Sequence, residues 1–308
     1  MEFTHKTVLL KETLDFLNIN KDGVYLDGTA GAGGCSEAIV SKLSEKGKLI
    51  CLDRDPDAVD FCNERFKNYS QVKVENANFS CMKNIANKFK ITEFDGIVLD
   101  LGVSSYQLDC AERGFSYNKD APLDMRMSKS GKTAADLINS LDKESLAHII
   151  KSYGEEKYFE RISRVIVNER VKGPILTTLH LAEVIKKAVP AAERREGNPA
   201  RKTFQALRIC VNSELDNLSE GLIQAFSLLK HKGRLAVITF HSLEDRIVKE
   251  AMREWSQGCI CPPDFPVCTC GKEPKAKIIT KSSVKPSESE IQDNPRSRSA
   301  RLRVCEKI

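Results

Sequence analysis

Val24-Tyr25-Leu26-Asp27-Gly28-Thr29-Ala30-Gly31-Ala32-Gly33-Gly34 is the stretch on which the fold turns. An apolar run closed by an acid predicts a buried strand, and the glycines predict a tight turn in which the backbone can approach a ligand. The segment behind it, Ser36 to Leu43, places Ala38, Ile39 and Leu43 on one helical face. Downstream, the same alternation repeats. Lys48–Asp53, Val72–Val74 and Phe94–Asp100 read as strands, and Asp57–Phe66 and Met82–Phe89 as helices. Strands that are apolar without interruption, separated by helices, indicate a parallel sheet covered on both faces.

From about Asp109 to Lys202 no strand pattern is present. Leu146, Ile149, Ile150 and Tyr153 fall at helical spacing after an Asp142 cap. Phe159, Ile162 and Ile166 mark a second helix, stopped by Gly173-Pro174. Leu181, Val184, Ile185 and Ala188 mark a third, with Thr178 as the expected cap. The α/β pattern then resumes with a helix predicted from Thr203 to Leu229, a strand over Gly233–Phe240, a helix over Leu243–Trp255, and two final strands near Ala276–Thr280 and Arg301–Val304. Ser282 to Asn294 reads as a flexible polar linker. The expected organisation is one α/β domain, residues 1–108 and 203–308, interrupted by an all-helical insertion over residues 109–202.

The 308 residues are 41% hydrophobic and 30% charged, a globular composition, and no apolar run reaches the roughly 18–20 residues that span a bilayer. The N-terminus lacks the regions of a signal peptide, so a cytoplasmic protein is expected. The net charge of +5 is unevenly placed: residues 271–308 carry ten Lys/Arg against five Asp/Glu, and the remainder is balanced. Arg296, Arg298, Arg301 and Arg303, with Arg194, Arg195, Arg201, Lys202 and Arg208, are candidates for phosphate contacts. Of the eleven cysteines, Cys51, Cys62, Cys81 and Cys210 sit among apolar neighbours and read as core residues. Cys259-Ile260-Cys261 and Cys268-Thr269-Cys270 are two close pairs. Four thiolates can hold a structural zinc, although Cys-x-Cys is tighter than the usual Cys-x2–4-Cys, and free thiols or redox pairing are the alternatives. No catalytic metal is expected.

Strand, glycine turn, helix, second strand and Asp53 at its end form the frame of a nucleoside-containing cofactor site, with the acid placed for ribose hydroxyls. The glycines at 28, 31, 33 and 34 do not fit the G-x-G-x-x-G spacing of dinucleotide enzymes, which disfavours a nicotinamide dehydrogenase. The pattern is similar to the acid-x-G-x-G-x-G motif of S-adenosylmethionine methyltransferases, with Thr29 where the first glycine is usual. Asp27 then fits as a ligand of the turn or of the methionine ammonium, and Phe79 as an adenine contact or, equally, a core aromatic.

Further stretches make the resemblance specific: His5-Lys6-Thr7-Val8-Leu9-Leu10, Asp53-Arg54-Asp55-Pro56, Leu99 to Ser105, Glu112-Arg113-Gly114-Phe115-Ser116 and Pro122-Leu123-Asp124-Met125-Arg126-Met127. To these are added Thr203 to Arg208, Phe240-His241-Ser242-Leu243-Glu244-Asp245-Arg246 and Asn294 to Ala300. With these motifs in order, the chain resembles the ribosomal RNA small-subunit methyltransferase H (MraW-type) family throughout its length. The resemblance implies a Rossmann-like S-adenosylmethionine methyltransferase with a helical insertion for substrate recognition. It further implies methylation of the N4 amino group of a cytidine in the decoding region of 16S rRNA, on the 30S subunit or an assembly intermediate, with a monomer or homodimer both open. Its cofactor positions carry over onto Gly33, Gly34, Cys35, Asp53, Phe79, Asp100 and Gln107. Many members have His where Cys35 stands. The Asp/Asn-Pro-Pro-aromatic motif of amino methyltransferases is replaced by Asp100-Leu101-Gly102-Val103, so Asp100 is a candidate both for the amino-group acceptor and for a cofactor contact. Ser104, Ser105 and His241 are candidate substrate contacts, His241 with the alternative of a structural histidine. A non-catalytic RNA-binding assembly factor that keeps a cofactor pocket is the rival reading.

Overall fold

The fold was obtained as a computed structural model that describes residues 7–195, 197–262, 267 and 269–308. His5, Lys6 and Cys268 lie outside the described residues. The chain divides into two compact units, the residues up to Gly102 with Leu215–Ile308, and Val103–Glu214.

In chain order the first unit opens with α1 (Leu10–Leu17), β1 (Val24–Asp27), α2 (Gly34–Val40), β2 (Lys48–Asp53), α3 (Pro56–Arg65), β3 (Val72–Asn76), α4 (Met82–Lys88) and β4 (Phe94–Asp100). The second unit holds α5 (Ser105–Asp109), α6 (Ala134–Ser140), α7 (Lys143–Gly154), α8 (Phe159–Arg170), α9 (Thr178–Ala188) and α10 (Arg201–Asn212). The chain then continues through α11 (Glu214–Leu228), β5 (Leu229–Thr239), α12 (Ser242–Ser256), β6 (Ala276–Ile278), α13 (Glu288–Asp293) and β7 (Arg301–Lys307).

Among the described residues seven strands form one sheet in the order β3-β2-β1-β4-β5-β7-β6. The first five are parallel, and β7 runs antiparallel to both β5 and β6. Successive residues of each strand feed opposite faces. Leu26, Ile50, Leu52, Ile97 and Leu99 pack with Met82, Leu222 and Val248 on one side. Tyr25, Leu49, Cys51, Val98 and Ile238 pack with Leu17, Ile39 and Cys62 on the other. Strand order reverses between β1 and β4, so the carboxyl ends of those strands, Asp27 and Asp100, mark the crevice where such sheets bind ligands.

The helical unit has its own core, in which Leu146, Ile150, Ile162, Ile166, Leu181 and Val184 are fully buried. Arg113 is buried there and its guanidinium donates to the carbonyls of Arg126 and Met127. The Asn212 amide accepts from Met127 N–H and donates to Met125 O, clamping the same segment. Gly114, at φ +71°, sits where a Cβ would lie 2.3 Å from Pro122 O. The Glu112–Ser116 and Pro122–Met127 motifs are thus two halves of one packed corner.

Three expectations are corrected. The helix expected from Thr203 to Leu229 is two helices, broken where Ser213 takes a left-handed conformation at φ 48°. Residues 282–294 are not a linker. Ser287 caps α13, Glu290 accepts a hydrogen bond from Leu9 N–H, and Val284 pairs with Leu302. The cap of α9 is Thr177, whose hydroxyl accepts from His180 N–H, rather than Thr178.

Candidate cofactor and substrate site

Asp27 ends β1 fully buried, and its carboxylate accepts from Ser36 Oγ at 2.7 Å and from Thr29 N–H at 3.2 Å. It therefore ties the glycine turn to α2, which favours the turn-ligand role. Thr29, the departure from the methyltransferase motif, is itself a structural tie. Its hydroxyl accepts from the Asp100 N–H at 2.6 Å and joins the turn to the end of β4. Gly33 caps α2 at φ +75°, where a Cβ would meet Phe66, and a Cβ on Gly34 would fall 2.1 Å from Thr7 Oγ1. Neither position admits a side chain without rearrangement.

At the end of β2, Asp53 accepts from Gly31 N–H and Asp55 N–H, each at 2.8 Å, one per carboxylate oxygen. It keeps some exposed surface, so a ligand can reach it. The apolar wall around it disfavours the charge and pushes its pKa to about 6 despite those two donors. Asp100 shows the stronger perturbation. Burial first, then the negative charges of Asp27 and Glu244, push it to about 8. Among the described residues its buried Oδ1 has no hydrogen-bond partner, an arrangement that costs free energy unless a ligand completes it. Among the described residues no cation pairs with Asp27, Asp53 or Asp100 in an ion pair. This carboxyl edge is a set of enclosed acids open to positive charge or hydrogen-bond donors.

Cys35, the second residue of α2, is buried beside these acids. Burial, then the charges of Asp27 and Asp100, hold its thiol well above the usual range, so it is a neutral group. Phe79 follows β3 in a 3-10 turn capped by Asn78. It is half-buried, and a Cβ on Gly221 of α11 would lie 2.4 Å from its ring, so the glycine makes room for the aromatic.

A model of the MraW methylase family matches residues 2–308. The chain belongs to the MraW methylase family. It is 53% identical to the ribosomal RNA small subunit methyltransferase H of Clostridium botulinum strain Kyoto, with all of both chains covered. It is 48% identical to that of Halothermothrix orenii, over 99% of this chain and 98% of the relative. Against that of Brevibacillus brevis the identity is 50%, over 100% and 99%. This MraW-family chain is accordingly an S-adenosylmethionine-dependent rRNA methyltransferase. The site fits that cofactor: enclosed acids, with the orphaned Oδ1 of Asp100 among them, suit a ligand carrying a sulfonium and an ammonium, and Asp53 ends β2, the position at which such sheets recognise ribose hydroxyls.

The remaining candidates of this MraW-family chain lie on other elements. His241 is almost fully enclosed and caps α12. Its Nδ1 accepts from Glu244 N–H, while Glu244 Oε2 accepts from the N–H groups of Phe240 and His241. That is the structural role weighed against substrate contact. Ser104, Ser105 and Gln107 belong to the helical unit. Ser104 caps α5, Ser105 is its first residue, and buried Gln107 closes the box by accepting from Ser104 N–H. Glu244 escaped the sequence reading as a site residue. It is 2% exposed and electrostatically felt by Asp100. The four-residue spacing from Phe240 inside the Phe240–Arg246 motif was its only sequence signal.

Basic candidates are already drawn into ion pairs, Arg301 reaching Asp245 at 4.0 Å. Arg303 makes a bidentate pair with Asp245, at 2.7 and 3.0 Å, and Arg208 another with Glu214, at 2.8 and 2.7 Å. Arg194, Arg195, Arg201, Lys202, Arg298 and Arg301 are exposed. Of the cysteines expected in the core, Cys51 and Cys62 are buried, whereas Cys81 is exposed and Cys210 intermediate.

Proposed function

We propose that this chain methylates the N4 amino group of a cytidine in the decoding region of 16S rRNA, acting in the cytoplasm on the 30S subunit or an assembly intermediate. The observation that carries the chemistry is Asp100, a carboxyl at the carboxyl end of β4 with a buried, orphaned Oδ1 and a pKa raised to about 8.

The amino lone pair of cytosine is delocalised into the ring and attacks poorly. S-adenosylmethionine supplies the electrophilic methyl group when bound. The chain must then hold the amine so that its lone pair points along the transfer axis, and take up the proton released as the N–C bond forms. Asp100 Oδ1 accepts an amino hydrogen, which draws the nitrogen toward a tetrahedral shape, and its pKa of about 8 suits it to receive that proton near neutral pH. Asp53 would hold ribose hydroxyls, Phe79 would contact the adenine, and Gly33, Gly34 and Cys35 would contact the cofactor from the turn and the start of α2. Gln107 would be a further cofactor contact, and Ser104 and Ser105 would orient the base. Orientation of two reactants contributes on the order of 7–11 kcal/mol in favourable cases.

The helical unit Val103–Glu214 is proposed as the substrate-recognition domain. Its exposed Arg194, Arg195, Arg201 and Lys202 offer phosphate contacts, which supply affinity but little sequence choice. Because the target base must leave any stack to reach a buried acid, a folded particle that presents it unpaired is the preferred substrate.

Nucleoside mass spectrometry of 16S rRNA from a strain lacking the gene, with and without the restored gene, tests the proposal. N4-methylated cytidine that disappears and returns with the gene is expected. Unchanged cytidine modification, with cofactor binding intact in the purified chain, would favour the assembly-factor role instead.

A further inference from the structure

The loop between α12 and β6 carries the two Cys-x-Cys pairs, and the methyl-transfer site uses none of them. The structure brings together three of their sulfurs. The Sγ atoms of Cys259, Cys261 and Cys270 lie within 4.8 Å of one another, and Cys259 and Cys270 are 3.7 Å apart. That separation is far beyond the roughly 2.05 Å of a disulfide. It matches the edge of a tetrahedron of sulfurs about 2.3 Å from a central zinc, which is roughly 3.7–3.8 Å.

Each of the three sulfurs also receives a backbone N–H. Cys261 N–H donates to Cys259 Sγ, Ile260 N–H to Cys270 Sγ and Thr269 N–H to Cys261 Sγ, all at 3.4 Å. Three thiolates around a divalent ion leave net negative charge, and N–H donors aimed at the sulfurs offset it. The short Cys-x-Cys spacing is thereby accommodated: sulfurs from both pairs meet across the loop, and the intervening amides turn inward.

The loop is anchored where it leaves and rejoins the fold. Trp255, at the end of α12, stacks on Phe226 at 4.2 Å, and its carbonyl accepts from Lys275 N–H at 2.7 Å. Since α12 starts at the carboxyl edge of the sheet and runs for 15 residues, about 22 Å at 1.5 Å per residue, the cysteine cluster lies far from Asp100. A metal there acts on structure and not on the methyl group.

We propose that Cys259, Cys261 and Cys270 form a structural zinc site that closes the loop between α12 and β6. Each thiol gives up its proton to solvent as it ligates, and the fourth tetrahedral position is taken by a further donor. Cys268 lies outside the described residues.

The test is metal analysis of the full-length chain, purified under reducing conditions without chelator, beside a Cys259→Ser/Cys270→Ser double variant. About one zinc per wild-type chain is expected, falling to none in the double variant while affinity for S-adenosylmethionine is unchanged. Cobalt substitution of the wild type is expected to give the intense visible bands and sulfur-to-metal charge transfer of a tetrahedral thiolate site. A reduced wild-type chain that neither contains nor takes up zinc overturns the proposal. So does zinc content that survives the double substitution, or a weak octahedral cobalt spectrum.

Discussion

Acids enclosed without cations set the behaviour of the site at the scale of single residues. Asp53 at about 6 and Asp100 at about 8 both lie above the value of an unfolded aspartate. Between the unfolded and folded values the folded chain binds more protons than the unfolded one, so each acid makes the ligand-free protein less stable as pH rises, up to its folded pKa, and adds no further loss beyond it. A cationic cofactor reverses that sign, because it binds the ionised acids. Calorimetric affinity for S-adenosylmethionine is therefore expected to strengthen as pH rises through about 6 to 8 and then level off, and a flat profile would remove the acids from cofactor binding. Asp100→Asn keeps the shape but loses the proton acceptor. It is expected to lower methyl transfer about 10²–10⁴-fold, the usual worth of a general base. Cys35, neutral and buried, offers no charge to the cofactor. Cys35→Ser is accordingly expected to shift cofactor affinity less than Asp53→Ala does, by the same calorimetry.

At the scale of elements, the turns that carry the site are set by glycines with a defined steric reason. Gly221→Ala would drive a methyl into the Phe79 ring from 2.4 Å, and weaker cofactor binding is expected by the same calorimetry. Gly114→Ala combines a positive φ with a Cβ 2.3 Å from Pro122 O. The left-handed conformation alone costs roughly 1–2 kcal/mol, so a lower melting midpoint is expected, read by circular dichroism. The parallel strands were legible because a strand buried on both faces is an uninterrupted apolar run, as in Ile97-Val98-Leu99. The α10–α11 break was not, because Ser213 carries none of the Gly or Pro that announce a stop. The helix α13 was missed for a similar reason: its six residues are held by a cap and by Glu290 reaching Leu9, a contact 281 residues distant in sequence. Of the candidate site, the positions of Asp53 and Asp100 at strand ends were readable. The orphaned oxygen of Asp100, its neighbour Glu244 and the tie to Thr29 depend on strands meeting in space.

At the scale of the whole molecule, the +5 charge is a surface property trimmed by pairing. Arg303 and Arg208 looked like polyanion contacts because the acids that neutralise them lie 58 and 6 residues away. Exposed Arg194, Arg195, Arg298 and Arg301 keep that role as a proposal. Replacing one phosphate-contacting arginine by Ala is expected to reduce the slope of log affinity for rRNA against log salt by about 0.7–0.9, whereas Arg303→Ala is expected to leave the slope alone and lower stability. Filter binding over a salt series separates the two. The most direct measurement is transfer of labelled methyl from S-adenosylmethionine to 30S subunits isolated from a strain lacking the gene, with wild type and Asp100→Asn compared at saturating cofactor. Label recovered as N4-methylcytidine with the wild type, and lost with Asp100→Asn although that variant still binds cofactor, is the predicted result. Label on any other nucleoside, or full transfer by Asp100→Asn, would contradict it.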